Sequence, residues 1–155
     1  VLEHLIMSGI TQYTKTGPQS YTPVSGQTVK GGTLVEARTG GRIGTAAAGS
    51  LKVLGAALGD AQSPEGVVTA GVVGTDGRPV LNTAQLPTTV AVAYAPAEVK
   101  LTFTAAATFG ERLVATADGK VGPAGATPDA RSIVGICTEP AGVGAANGVG
   151  LVRLV

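Results

Sequence analysis

From Thr28 onward, short apolar runs alternate with turn signals, and no window sustains apolar residues at i, i+3, i+4 and i+7. The runs predict strands over 33–38, 51–57, 67–73, 88–94, 98–104, 112–116, 132–137 and 149–155. The clearest is 98–104, where Val99, Leu101 and Phe103 share one face while Glu98, Lys100, Thr102 and Thr104 share the other. That alternation is the period of a half-buried strand. Asp76-Gly77, Asp118-Gly119 and Asn147-Gly148 tolerate positive φ and predict tight turns. At most one short helix is expected, around 45–51 or 129–132, where Thr127, Pro128 and Asp129 form a helix-start signal.

The pattern repeats itself. Leu34-Val35, Gly41-Arg42-Ile43-Gly44 and Val53-Leu54-Gly55 return as Leu113-Val114, Gly119-Lys120-Val121-Gly122 and Ile133-Val134-Gly135, at a spacing close to eighty residues. Each copy reads as strand, glycine turn, strand, and the shared residues include no acid, nucleophile or metal ligand. The expected fold is all-β, a compact β-sandwich or barrel-like domain over 27–155, with pseudo-repeated halves near 27–61 and 107–140. Residues 1–26 are different. From Ser8 to Gln27 the chain is polar, rich in Thr, Ser, Gly and Pro, and has no strand or helix period, so it reads as an extended arm anchored by Tyr13 and Tyr21.

Composition adds that the core is built from small side chains. The 155 residues are 44% hydrophobic, mostly Val, Ala and Leu, with no Trp, three Tyr and two Phe. A chain of this length buries roughly 70% of its unfolded surface, but at about 25 cal/mol per Å² small side chains each contribute little. Close backbone packing, or burial against other subunits, must supply the rest. Eleven basic and ten acidic residues give a net charge of +1 with no basic run, which argues against nucleic acid as a partner. The prolines and polar residues of 79–97 argue against a membrane span, and Glu3 and His4 with no basic flank argue against a signal peptide.

The candidate chemistry is thin. His4 is the only histidine and Cys137 the only cysteine, so zinc chemistry, a disulfide within the chain and a Cys-His or Ser-His nucleophile all lack partners. Asp60, Asp76, Asp118 and Asp129 sit at turn positions, and no pair of carboxylates converges by spacing. Gly142, Gly144 and Asn147 fall short of a dinucleotide fingerprint, and Gly40, Gly41 and Gly44 lack the Lys and Ser/Thr of a phosphate loop. The reading is a non-enzyme without metal or cofactor. Arg38, Arg42 and Lys52 with Glu36 form the one basic grouping, read either as charges guarding a strand edge or as a contact for an acidic partner.

The second copy carries a resemblance. Phe109-Gly110-Glu111-Arg112-Leu113-Val114-Ala115, then Asp118-Gly119-Lys120-Val121-Gly122-Pro123-Ala124, then Ile133-Val134-Gly135-Ile136 and a last strand over 150–155 resemble the head decoration, or capsid cement, proteins of tailed bacteriophages. The match is best over 107–155, weaker over 27–61 and absent from the arm; a central insertion, roughly 62–97, departs from it. The resemblance implies a structural virion protein, made in the host cytoplasm and attached to the outer surface of the capsid as a homotrimer. It would bridge major capsid protein subunits, with Tyr13, Tyr21, Arg38 and Arg42 as contact residues. The alternative is a carbohydrate-binding or adhesive surface module with Tyr94 as its platform.

Overall fold

A computed structural model describes residues 17–67, 72–80 and 85–155. Fourteen strands follow one another among these residues: β1 Gln19–Tyr21, β2 Thr28–Val29, β3 Leu34–Arg38, β4 Arg42–Thr45, β5 Val53–Ala57, β6 Ala61–Gln62, β7 Val72–Val73, β8 Pro79–Val80, β9 Val90–Ala93, β10 Glu98–Thr102, β11 Arg112–Ala115, β12 Val121–Pro123, β13 Ile133–Cys137 and β14 Val149–Leu154. The protein is all-β. The helix-start signal yields only a 3-10 turn over Ala130–Ser132, in which Asp129 accepts from the Arg131 N–H at 2.9 Å. The stretch after β4 turns at Gly49 instead of winding into a helix.

Ten strands form two antiparallel sheets, in the orders β1-β9-β5-β3-β4 and β10-β14-β13-β11-β12. Taken in chain order within each half, these are one topology used twice. Each sheet also curls until its ends meet: Pro23 bridges Ile43 in parallel, and Phe103 bridges Val121. Backbone bonds seal the seam, from Val24 N–H to the Ile43 carbonyl at 2.8 Å and from Thr104 N–H to the Val121 carbonyl at 2.8 Å. The result is two small five-stranded barrels, an arrangement that hides edges which would otherwise invite mispairing.

Register fixes the true correspondence. Val35 pairs Gly55 and Thr45, as Leu113 pairs Gly135 and Pro123. The sequence match of Leu34-Val35 with Leu113-Val114 is therefore one residue out of step. A one-residue slip moves a side chain to the opposite face, so Val35 and Leu113 both point into a barrel whereas Leu34 corresponds to Arg112. The other two matches, Ile43-Gly44 with Val121-Gly122 and Gly55 with Gly135, keep register.

The interiors follow from this register. Val35, Ile43, Ala57, Val92 and the half-buried ring of Tyr21 fill the first barrel, and Leu113, Val121, Cys137, Val152 and Leu101 stand in the corresponding places of the second. Val29 and Ala61 close one end of the first barrel through the β2–β6 pair, and the Ala107–Val143 bridge does the same in the second. The alternation expected over 98–104 holds, with Val99, Leu101 and Phe103 buried.

Two sequence expectations change. The first concerns the arm. Within 1–26, Gln19–Tyr21 is a sheet strand paired with β9, because hydrogen bonding to Val90–Val92 and packing of Tyr21 order a segment whose composition looks unstructured. Residues 1–16 lie outside the described residues. The second concerns the central insertion. Val90–Ala93, β9, belongs to the repeated topology, so the extra length falls between β6 and β9, where β7 and β8 form a hairpin turned at Gly77.

The barrels share a joint. The tip between β11 and β12, Ala117–Gly119, seats against the first barrel: the Gly119 N–H donates to the Ala46 carbonyl at 3.0 Å, and a Cβ on Gly119 would stand 2.7 Å from the Leu34 carbonyl oxygen. Thr102 N–H donates to the Gly32 carbonyl at 3.3 Å and Gly49 N–H to the Ala115 carbonyl at 2.9 Å. Leu34, Ala46, Ala56 and Ala93 of the first barrel join the apolar cluster of the second. A joint sealed by backbone bonds and small side chains is how a core built mainly from Val, Ala and Leu reaches native density.

Candidate functional site

The tip of the β3–β4 hairpin carries the expected contact residues Arg38 and Arg42. They face each other in register across the two strands, on either side of the exposed turn Thr39–Gly41. Like charges set opposite each other repel, and each is neutralised separately. Arg38 meets Glu36 at 2.7 Å and Arg42 meets Glu65 at 2.6 Å. Arg38 also donates to the Thr45 carbonyl at 3.3 Å. The turn itself needs Gly40 and Gly41, at φ 75° and 70°, just as the corresponding turn uses Asp118 and Gly119 at 58° and 68°.

Glu36 is the electrostatic centre of this tip. Its burial acts to raise the pKa, but the Ser50 hydroxyl, the Ala47 N–H and the positive charges of Arg38 and Lys52 outweigh burial and hold it below the ordinary glutamate range. The Ala47 N–H donates to Glu36 Oε2 at 3.2 Å. Glu65 lies lower as well, held by its own backbone N–H and by Arg42.

The other expected contact residues stand apart from the tip. Tyr21, on β1, packs partly into the first barrel, which commits much of its ring to stability. Tyr13 lies outside the described residues. Tyr94 lines a shallow trough with Pro18, Ala95 and Pro96, an apolar surface without the ring of polar groups that orients a sugar.

Carboxylates are spent locally. Glu111 accepts from Thr108 N–H at 2.8 Å and from its hydroxyl at 3.2 Å, and Glu139 accepts from Leu151 N–H at 3.2 Å. Asp129 is lowered by the hydrogen bonds from the Arg131 side chain and backbone. Among the described residues no group of three or more His, Cys, Asp or Glu side chains could hold a metal ion, and no helix is long and apolar enough to cross a membrane. Cys137 is buried, in the place Ala57 takes in the first barrel.

Sequence reasoning passed over three surface features. Phe109 is 65% exposed, beside the exposed Gly110. Leu51, Leu54 and Val155 are exposed around a cleft between the barrels that Arg131 also lines. Arg112, Ile136 and Arg153 lie in one row across β11, β13 and β14.

No family model and no curated protein sequence matches the chain. Solved structures do. The chain is similar to the head fiber gp8.5 N base of bacteriophage phi29, with a TM-score of 0.57 and 17% identity over 89% of this chain and 94% of that one. It is also similar to the pre-mature gene product 12 of bacteriophage phi29, with a TM-score of 0.52 and 16% identity over 93% of this chain, which spans only 22% of that protein. At this identity the likeness is one of fold.

Proposed function

We propose that this protein is a structural component of a tailed-phage virion that sits on the outer surface of the capsid and stabilises the shell by bridging major capsid subunits, as a homotrimer and without enzymatic activity. The observation that carries this reading is the likeness to a head fiber base over nearly the whole of both chains. The resemblance of 107–155 to head decoration proteins points the same way from the sequence alone. Two joined barrels offer several contact points at once, and simultaneous contacts raise the effective concentration of each.

Within this reading Arg38 and Arg42 are contacts to acidic groups of a neighbouring subunit, and Tyr13 and Tyr21 belong to the arm and its root. The test is co-sedimentation of the purified protein with capsids assembled from the major capsid protein of the same genome. Saturable binding that raises the melting temperature of the capsid is expected. Capsids that sediment without the protein, and melt unchanged in its presence, would overturn the reading.

A further inference from the structure

The joint between the barrels is heterologous: a tip on one barrel enters a socket on the other. Both halves of that joint exist a second time in the chain, unused. The first barrel has its own tip, Thr39–Gly41, with the backbone conformation of Ala117–Gly119, but its last residue, Gly41, is exposed, and a Cβ there would meet nothing within 4 Å. Gly119, its counterpart, is buried.

The second barrel has its own socket. The used one presents the carbonyls of Gly32 and Ala46 beside Leu34. Their counterparts are Gly110, Ala124 and Arg112, and the local bonding is the same. Ala46 N–H donates to the Leu34 carbonyl at 3.0 Å and Ala124 N–H to the Arg112 carbonyl at 2.9 Å. Gly32 N–H donates to the Ala57 carbonyl at 2.8 Å and Gly110 N–H to the Cys137 carbonyl at 2.7 Å.

We infer that copies of this chain join head to tail, the β3–β4 tip of one copy entering the Gly110, Arg112 and Ala124 socket of the next. Gly41 and Thr22 then donate where Gly119 and Thr102 donate within the chain. Phe109, on the rim of the open socket, is the anchor, since a large exposed aromatic beside a preformed concavity is the usual centre of binding energy. The row facing the incoming barrel is Arg112, Ile136 and Arg153 where the joint within the chain has Leu34, Ala56 and Ala93. That substitution makes the joint between copies wetter and weaker, because Arg112 and Arg153 lose water when covered, and it lets each chain fold before it assembles. A heterologous contact of this kind closes into a ring when its rotation permits. The inference supplies the interface for the homotrimer of the proposed function, but self-association tests it independently of capsid binding.

The test uses Gly41→Asn and Phe109→Asp in sedimentation equilibrium. Asn tolerates the positive φ of position 41 and projects into open space in the single copy, so Gly41→Asn keeps the fold and blocks only the tip. Phe109→Asp blocks only the socket. Wild-type protein is expected to gain mass with concentration, and each variant to keep its melting temperature and remain a monomer. An equimolar mixture of the two variants, one with an intact socket and the other with an intact tip, is expected to form a dimer. Val73→Asp, at a residue 62% exposed elsewhere, is expected to associate like the wild type. A wild-type protein that stays monomeric, a Gly41→Asn protein that associates fully, or a mixture that stays monomeric overturns the inference. Loss of capsid binding with self-association intact would overturn the proposed function and leave this joint standing.

Discussion

Gly55 and Gly135 stand at the same point of the two barrels and are pressed by the same neighbours. A Cβ on Gly55 would overlap the Ala93 carbonyl oxygen and lie 3.1 Å from Val92 Cγ1; a Cβ on Gly135 would lie 2.7 Å from both the Arg153 carbonyl oxygen and Val152 Cγ1. Each glycine also sits beside a register shift, between Val35 and Glu36 in one barrel and between Leu113 and Val114 in the other. The absent side chain lets the last strand of each barrel close over the bulge.

Gly135→Ala and Gly55→Ala should each cost about 3 kcal/mol or more, because a backbone carbonyl oxygen that cannot rotate aside stands in the way at each position. Urea unfolding monitored by circular dichroism measures it. Loss below about 1 kcal/mol in both variants would show that the strands are not packed this closely.

Leu34 and Arg112 hold corresponding positions with opposite fates, one in the joint between barrels and the other exposed. Leu34→Arg should destabilise by about 3–5 kcal/mol, through a lost apolar contact and a charge placed in a closed joint. Arg112→Leu should change stability by less than about 0.5 kcal/mol, as exposed substitutions do. Equal effects from the two would contradict the assignment of the joint.

Glu36 gives the stability a pH dependence. Its pKa in the folded protein lies below its unfolded value, so its carboxylate stabilises the fold above the ordinary glutamate range, and that contribution is lost as pH falls through the depressed folded value. Glu36→Gln should therefore lower stability at neutral pH and flatten the acid limb of the profile. Urea midpoints from neutral to acid pH test this, and parallel acid limbs in the two proteins would refute it.

Truncation separates the arm from the barrel. Removing 1–16 should leave the fold intact and weaken capsid attachment, whereas removing 1–26 also deletes β1 and uncovers Val90 and Val92 on β9. The longer truncation should unfold at markedly lower urea than the shorter one. Thermal melts and capsid co-sedimentation of both truncations decide the matter, and equal stability would remove β1 from the fold's account.

The sequence by itself determined the strand class, most of the strand positions and the existence of two copies. Those signals are local: the alternation of 98–104 and the turn chemistry of Asp76-Gly77 and Asp118-Gly119 need only neighbours along the chain. Gln19–Tyr21, Thr28–Val29, Arg42–Thr45, Ala61–Gln62, Pro79–Val80 and Val121–Pro123 were missed as strands because short segments owe their state to the partners they pair with. Only the tertiary structure decided the register of the copies and the closure of each barrel. It also decided which of the two matching tip glycines, Gly41 or Gly119, is buried against the other barrel. The physical reason is that pairing partners, bulges and burial are set by residues far apart in the chain. A run such as Leu34-Val35 reads the same with its register shifted by one, although the shift changes which side chain faces the core.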